Sequence, residues 1–113
     1  MKNYFTSKEL ACNCCGLMNI NPDFLDLLNM TRGFYGDKMI INSGCRCEKH
    51  NTHVGSTSMN HVLGRAVDVK CDSSIERWKI VCASMKAGMP GIGIKRDFIH
   101  LDTNRDFAAL WVY

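Results

Sequence analysis

The 113-residue chain predicts an α+β domain: helices drawn mainly from the N-terminal half, and one lying between strands, pack on a small, mostly antiparallel sheet. Three features point that way. A helix start with strong capping chemistry stands near residue 21, short β-branched runs gather in the second half, and the last two runs are spaced like a hairpin. The length suits a single domain over 1–113, with one core and no room for a second.

Taken in order, Asn21 stands where an N-cap belongs, with Pro22 at the first helical position and Asp23 in the first turn. Phe24, Leu25, Leu27, Leu28 and Met30 supply an apolar face, so a helix is expected to about Gly33 or Tyr35. Met39-Ile40-Ile41-Asn42-Ser43 reads as a buried strand that feeds a loop at Gly44. Ala66-Val67-Asp68-Val69-Lys70 alternates with period two and reads as a second strand, Asp68 on one face and Val67 and Val69 on the other. Asp72-Ser73-Ser74 offers capping side chains to a helix through Trp78, Ile80, Val81 and Met85, stopped by Gly88 and Pro90. Gly91-Ile92-Gly93-Ile94 and Phe98-Ile99-His100-Leu101-Asp102 complete the pattern as a hairpin.

Composition narrows the classes. With 46% hydrophobic and 22% charged residues the chain fits a soluble globular fold, and no apolar run approaches the roughly 20 residues of a membrane span. Met1 to Thr6 lacks the apolar centre of a signal peptide, so the expected site of synthesis and initial residence is the cytoplasm. Seven cysteines, an odd number, are then expected to be reduced or metal-bound. A net charge of +3 favours an acidic polymer such as nucleic acid or bacterial wall. A Lys/Arg-rich stripe with interleaved aromatics is missing, which argues against nucleic acid. A monomer is expected.

The chemistry-bearing residues are His61, Asp68 and His100. Two imidazoles and a carboxylate form the three-ligand set of a catalytic zinc site, which leaves the fourth tetrahedral position for water or substrate. Seven residues of straight strand would span roughly 23 Å, so the chain must fold back between His61 and Asp68, and Gly64 permits that turn. Adjacent strands are expected to bring Asp68 and His100 side by side. Asp97, three residues before His100, is the candidate general base if the strand starts or bulges between them.

Further phrases occur around these residues in a fixed order: Phe5 to Leu10, Cys12-Asn13-Cys14-Cys15-Gly16, Ser43-Gly44-Cys45-Arg46, His50-Asn51, Val54-Gly55, Gly64-Arg65-Ala66-Val67-Asp68, Asp97-Phe98-Ile99-His100-Leu101-Asp102 and the terminal Trp111-Val112-Tyr113. Together they resemble the M15 zinc peptidases, closest to the short phage or prophage form, over nearly the whole chain. The resemblance implies zinc held by His61, Asp68 and His100, Asp97 as general base, and Arg46 binding a substrate carbonyl or carboxylate and helping to stabilise the oxyanion. A guanidinium offers paired donors suited to either role. Relatives usually carry a serine two residues before the first histidine; here Met59 stands there and Ser58 one step earlier, so Ser58 is the expected substrate-side hydroxyl. Some relatives have glutamate where Asp97 stands, and the shorter arm changes the distance to water. The implied substrates are bacterial peptidoglycan stem peptides, cut as a D-Ala-D-Ala carboxypeptidase or an L-Ala-D-Glu endopeptidase by a lysin that meets the wall after release or as a virion component. The alternative is a zinc-containing wall-binding or virion structural module without catalysis.

Among the remaining residues, His50 and His53 are expected to be structural or surface groups, and Asp102, on the same strand face as His100, to be either its orienting partner or a solvent-facing carboxylate. Cys12, Cys14 and Cys15 with Cys45 and Cys47 offer the ligands for a second, structural zinc site, but their spacing is tighter than that of usual zinc knuckles, so packing as small apolar groups is the favoured expectation. Cys71 and Cys82 are expected in or near the core, and Trp78, Phe107 and Trp111 as packing residues, the alternative being an aromatic at the cleft rim that stacks on a sugar or peptide.

Overall fold

In the computed structural model, which describes residues 2–113, the elements run α1 (Ser7–Leu10), α2 (Pro22–Tyr35), β1 (Ile41–Ser43), α3 (Glu48–His53), β2 (Ala66–Lys70), α4 (Ser74–Ala87), β3 (Gly91–Ile94), β4 (Phe98–Asp102) and β5 (Ala109–Val112). The α+β class holds. The five strands form one sheet in the order β1-β2-β4-β3-β5. It is mixed rather than mostly antiparallel: β1, β2, β4 and β3 pair antiparallel in succession, and β5 adds to β3 in parallel. The parallel strand follows from the last connection, which leaves β4 and crosses to the far edge, so β5 runs alongside β3.

The two long helices begin and end where local chemistry dictates. The Asn21 side chain accepts from the Phe24 amide at 3.0 Å, Pro22 opens α2, and Gly36 closes it in the left-handed conformation. Ser73 accepts from the Glu76 amide at 3.1 Å at the start of α4, and Gly88 ends it in the same way. The helices pack on each other and on one face of the sheet. Phe24 and Leu28 of α2 and Ile80 of α4 meet Val67, Val69, Ile92, Ile99 and Leu101, all effectively buried. Removing these side chains from water supplies most of the drive to fold, about 1.5–3 kcal/mol for each large one.

Three elements were not expected. α1 is a single turn held by a capping box between Thr6 and Glu9, α3 is six residues capped by Cys47, and β5 is a strand with largely exposed side chains. Pieces so short or so poorly buried carry little apolar periodicity. Some packing expectations also fail: Trp78 and Phe107 are 70% and 83% exposed, and Cys82, Cys14 and Cys15 lie on the surface, while Cys12, Cys45 and Cys71 are buried. On α4 the inward positions go to Ile80, Ala83 and Ser84, which turns Trp78 outward.

Candidate active site

The face of the sheet opposite the helices forms the floor of a cleft of about 580 Å³. Strand alternation decides what stands on it. Val67, Val69, Ile99 and Leu101 point into the core, so Asp68, His100 and Asp102 point into the cleft. Asp68 and His100 are direct cross-strand partners, as the sequence suggested. On β3 the same face carries Gly91 and Gly93, and both lack a side chain for a reason. A Cβ on Gly91 would run into the Asp102 carboxylate and the Arg105 guanidinium, and one on Gly93 would lie 2.7 Å from the Trp111 ring. The bare β3 face lets Trp111 cross the sheet and reach His100, with ring centroids 5.6 Å apart.

His61 arrives from the turn before β2. Gly64, with φ of +70°, closes that turn; its carbonyl accepts from the Asn21 amide at 2.8 Å, and a Cβ there would collide with the Asn19 carbonyl. His61 Nδ1 lies 2.7 Å from the Gly44 carbonyl, which can only accept, so that nitrogen carries the proton and Nε2 faces inward with its lone pair. Nε2 is 3.5 Å from Asp68 Oδ1, and His100 Nδ1 is 3.1 Å from the same oxygen. One donor atom from each of His61, Asp68 and His100 lies within 4.8 Å of the others, and all three residues are buried.

A second layer orients each donor. Arg46 Nη2 donates to Asp68 Oδ2 at 3.2 Å, leaving Oδ1 to the histidines; its Nε and Nη1 are held by Ser43 Oγ at 3.0 Å and Asn51 Oδ1 at 3.3 Å. Asp102, with no exposed side-chain surface, accepts from His100 Nε2 at 2.7 Å and takes both arms of Arg105, at 2.7 and 3.0 Å. Of the two expectations for Asp102, the orienting partner is the one found. Burial opposes charge on Asp68, yet hydrogen bonds and charge from His100 and His61 hold its carboxyl well below the usual range. Burial would likewise depress the His100 imidazole, yet its bonds to Asp102 and Asp68 outweigh this and raise it above its ordinary value. Burial also works against the Asp102 anion, and His100 and Arg105 overcome it.

Arg46 and Ser58 both line the cleft, the Ser58 hydroxyl being used locally to accept from the Asn60 amide at 3.3 Å. Asp97 is not among the residues lining it. It sits exposed in the β3–β4 turn, while its neighbours Lys95 and Phe98 do line the cleft. β4 begins at Phe98, between Asp97 and His100, and pairs without a bulge; Asp97 lies in the bend just before it, outside the register that turns Phe98 and His100 into the cleft. His50 and His53 stand apart from the three-donor cluster, in a separate groove with Lys49 and Cys14. Sequence reasoning missed Asn60, which donates to Asp102 at 3.3 Å, and Arg105, whose guanidinium lies where a Cβ on Gly91 would stand.

The donor set fits a divalent zinc ion: two neutral imidazole nitrogens and a carboxylate oxygen converge, and each imidazole has its other nitrogen anchored to an acceptor. An α+β domain with such a triad in an open cleft is the frame of a metallohydrolase. A family model described as Peptidase M15 matches residues 3–102, and the chain belongs to that family. No curated protein matches the chain significantly. Trp111 and Tyr113, which close one side of the cleft, lie beyond the matched span.

Proposed function

We propose that this chain hydrolyses peptide bonds in the stem peptides of bacterial peptidoglycan, as a zinc-dependent D-Ala-D-Ala carboxypeptidase or L-Ala-D-Glu endopeptidase of the phage or prophage lysin kind. The observation that carries the reading is the convergence of His61, Asp68 and His100 on the floor of an open cleft, with the Arg46 guanidinium beside them. Zinc held by these three would leave one position for water and would supply Lewis acidity and water activation. Arg46, already fixed by Ser43, Asn51 and Asp68, presents its remaining N–H donors to a substrate carbonyl or carboxylate. Ser58 and the aromatic wall of Trp111 and Tyr113 bound the space in which a peptide lies. Asp97 takes the proton from water and passes it to the leaving amine. The backbone there is pinned, since the Asp97 carbonyl accepts from the Cys71 amide at 3.0 Å, so the carboxylate must swing inward from the exposed side of the turn.

The rival reading, a wall-binding module that holds metal without catalysis, draws on one observation, the exposure of Asp97. Mass spectrometry of defined stem peptides incubated with zinc-loaded and chelated protein separates the two. Chelator-sensitive release of D-alanine indicates a carboxypeptidase and a new D-glutamyl amine an endopeptidase; no product from any wall chemistry, with stoichiometric zinc bound, rules out the enzyme. Asp97→Asn should keep zinc and lose turnover, and full activity would remove Asp97 from the mechanism.

A further inference from the structure

A second cluster of donors lies away from the cleft, where the N-terminal segment meets the loop between β1 and α3. The sulfurs of Cys12, Cys14, Cys15 and Cys47 all lie within 4.8 Å of one another, and all four thiols are free. In a tetrahedral four-thiolate zinc site the sulfurs sit roughly 3.8 Å apart, given zinc–sulfur bonds of about 2.3 Å. The cluster is therefore within a small side-chain adjustment of that geometry.

The backbone is arranged for it. The Cys12 amide donates to the Leu17 carbonyl at 2.8 Å and the Gly16 amide to the Cys12 carbonyl at 2.9 Å, closing a turn that brings Cys14 and Cys15 back over Cys12. The Asn13 side chain ties this turn to the Asn42 carbonyl at 3.0 Å. From the other side, the Cys45 amide donates to the Leu10 carbonyl at 2.8 Å, which sets Cys47 against the turn. Amides also point at the sulfurs: that of Cys47 reaches Cys12 Sγ, and that of His50 reaches Cys47 Sγ, each at 3.4 Å. Such N–H donors satisfy the charge that metal-bound thiolates carry. Packing of buried apolar thiols, the reading the spacing favoured, does not account for the arrangement, because Cys14 and Cys15 are exposed and still converge.

We propose that Cys12, Cys14, Cys15 and Cys47 form a structural site for a thiophilic divalent cation, zinc being the physiological candidate, which clamps the N-terminal segment to the loop carrying Arg46. Each thiol releases its proton to solvent on binding, and Lys49 lies close enough to offset part of the resulting negative charge. The clamp reaches the cleft through sequence adjacency. Gly44, whose carbonyl fixes His61, and Arg46, which fixes Asp68, sit in the loop that ends at Cys47.

The test uses the full chain with His61→Ala and His100→Ala, reduced, freed of metal and titrated with cobalt(II). One equivalent should bind with the intense near-ultraviolet thiolate-to-cobalt charge-transfer band, and adding Cys47→Ser should abolish or strongly reduce that band. If the double variant does not fold by circular dichroism, wild-type protein is titrated instead, and two equivalents should bind, one with the sulfur band. Cobalt binding without that band in a folded, reduced protein would overturn the proposal. So would a disulfide among the four cysteines that persists when the protein is purified with zinc. Wild-type protein that shows the band and no peptidase activity would fail the proposed function while leaving this site standing.

Discussion

Asp102→Asn isolates the layer behind the metal ligands. The carboxylate accepts from His100 Nε2 at 2.7 Å and from Arg105 at 2.7 and 3.0 Å, with no exposed surface of its own. An amide keeps the shape but offers one oxygen in place of two and no charge. His100 becomes a weaker base and its ring less firmly aimed, and losses of this kind typically cost about 10–100-fold in metal affinity, or about 1.4–2.7 kcal/mol. Arg105 would also face an N–H₂ group or lose one bond. Removing one partner of a fully buried pair costs about 3–5 kcal/mol, but the Arg105 side chain is a quarter exposed, so about 2 kcal/mol of stability is the expected loss. The assay is zinc competition against a chromophoric chelator at a fixed pH of about 8, because protons compete with zinc for His100. Thermal unfolding of the metal-free variant runs alongside. A folded variant that binds zinc within about threefold of wild type would refute the claim that Asp102 positions His100.

Arg46→Ala should lower kcat/KM on stem peptides and, because Asp68 loses the partner that presents Oδ1 inward, weaken zinc binding as well; unchanged values of both would remove Arg46 from the site. Gly93→Ala should push Trp111 off the sheet at about 1–3 kcal/mol of stability, measured by denaturant unfolding, and quench activity; a wild-type protein in both assays would mean the ring accommodates the methyl without loss. The raised His100 pKa gives a signed pH effect: its contribution to metal-free stability is complete below the ordinary histidine value and is lost as pH rises through the folded value. Zinc must displace that proton, so the rise in Tm on adding zinc should grow with pH, and a zinc-induced shift that shrinks from pH 6 to 8 would contradict the assigned donor.

What could be read from the chain beforehand was whatever local chemistry determines. The Asn21 cap and Pro22 set the start of α2, Gly88 the end of α4, and period-two alternation placed Asp68 opposite Val67 and Val69, whereas the end of α2 was expected at about Gly33 or Tyr35 and Gly36 supplies its cap. The pairing of Asp68 with His100 was legible too, because an antiparallel register between two strands of equal length leaves few options. β5 was not legible: its partner β3 is reached by a crossing that no local signal announces, and its outer residues are too exposed to show a pattern. Arg105 drew no reading, because nothing in the sequence tells that Asp102, three residues back at the end of β4, is buried and needs a partner. The Cys12 group could be named from the sequence, but its convergence could not be read there. Its fourth member, Cys47, comes from far along the chain, and only the backbone pairing of Leu10 with Cys45 brings it near.

The charges around the cleft bear on which peptides it takes. Asp68 and Asp102 are balanced one for one by Arg46 and Arg105, so when His100 carries a proton the metal-free cluster has a single excess positive charge. A divalent cation in place of that proton raises the excess to two, and Lys95 on the cleft wall adds a third. A cleft so charged, partly shielded from water, favours anionic substrates well beyond what the net +3 of the whole chain suggests. Stem peptides meet that demand with the free carboxylates of their D-glutamyl and C-terminal D-alanyl residues. Amidating the carboxylate nearest the scissile bond should therefore raise KM roughly tenfold or more, the scale of one partly desolvated charge contact, with the difference narrowing as salt is added. Equal KM values for the free and amidated peptides at low salt would show that shape, and not this field, selects the substrate.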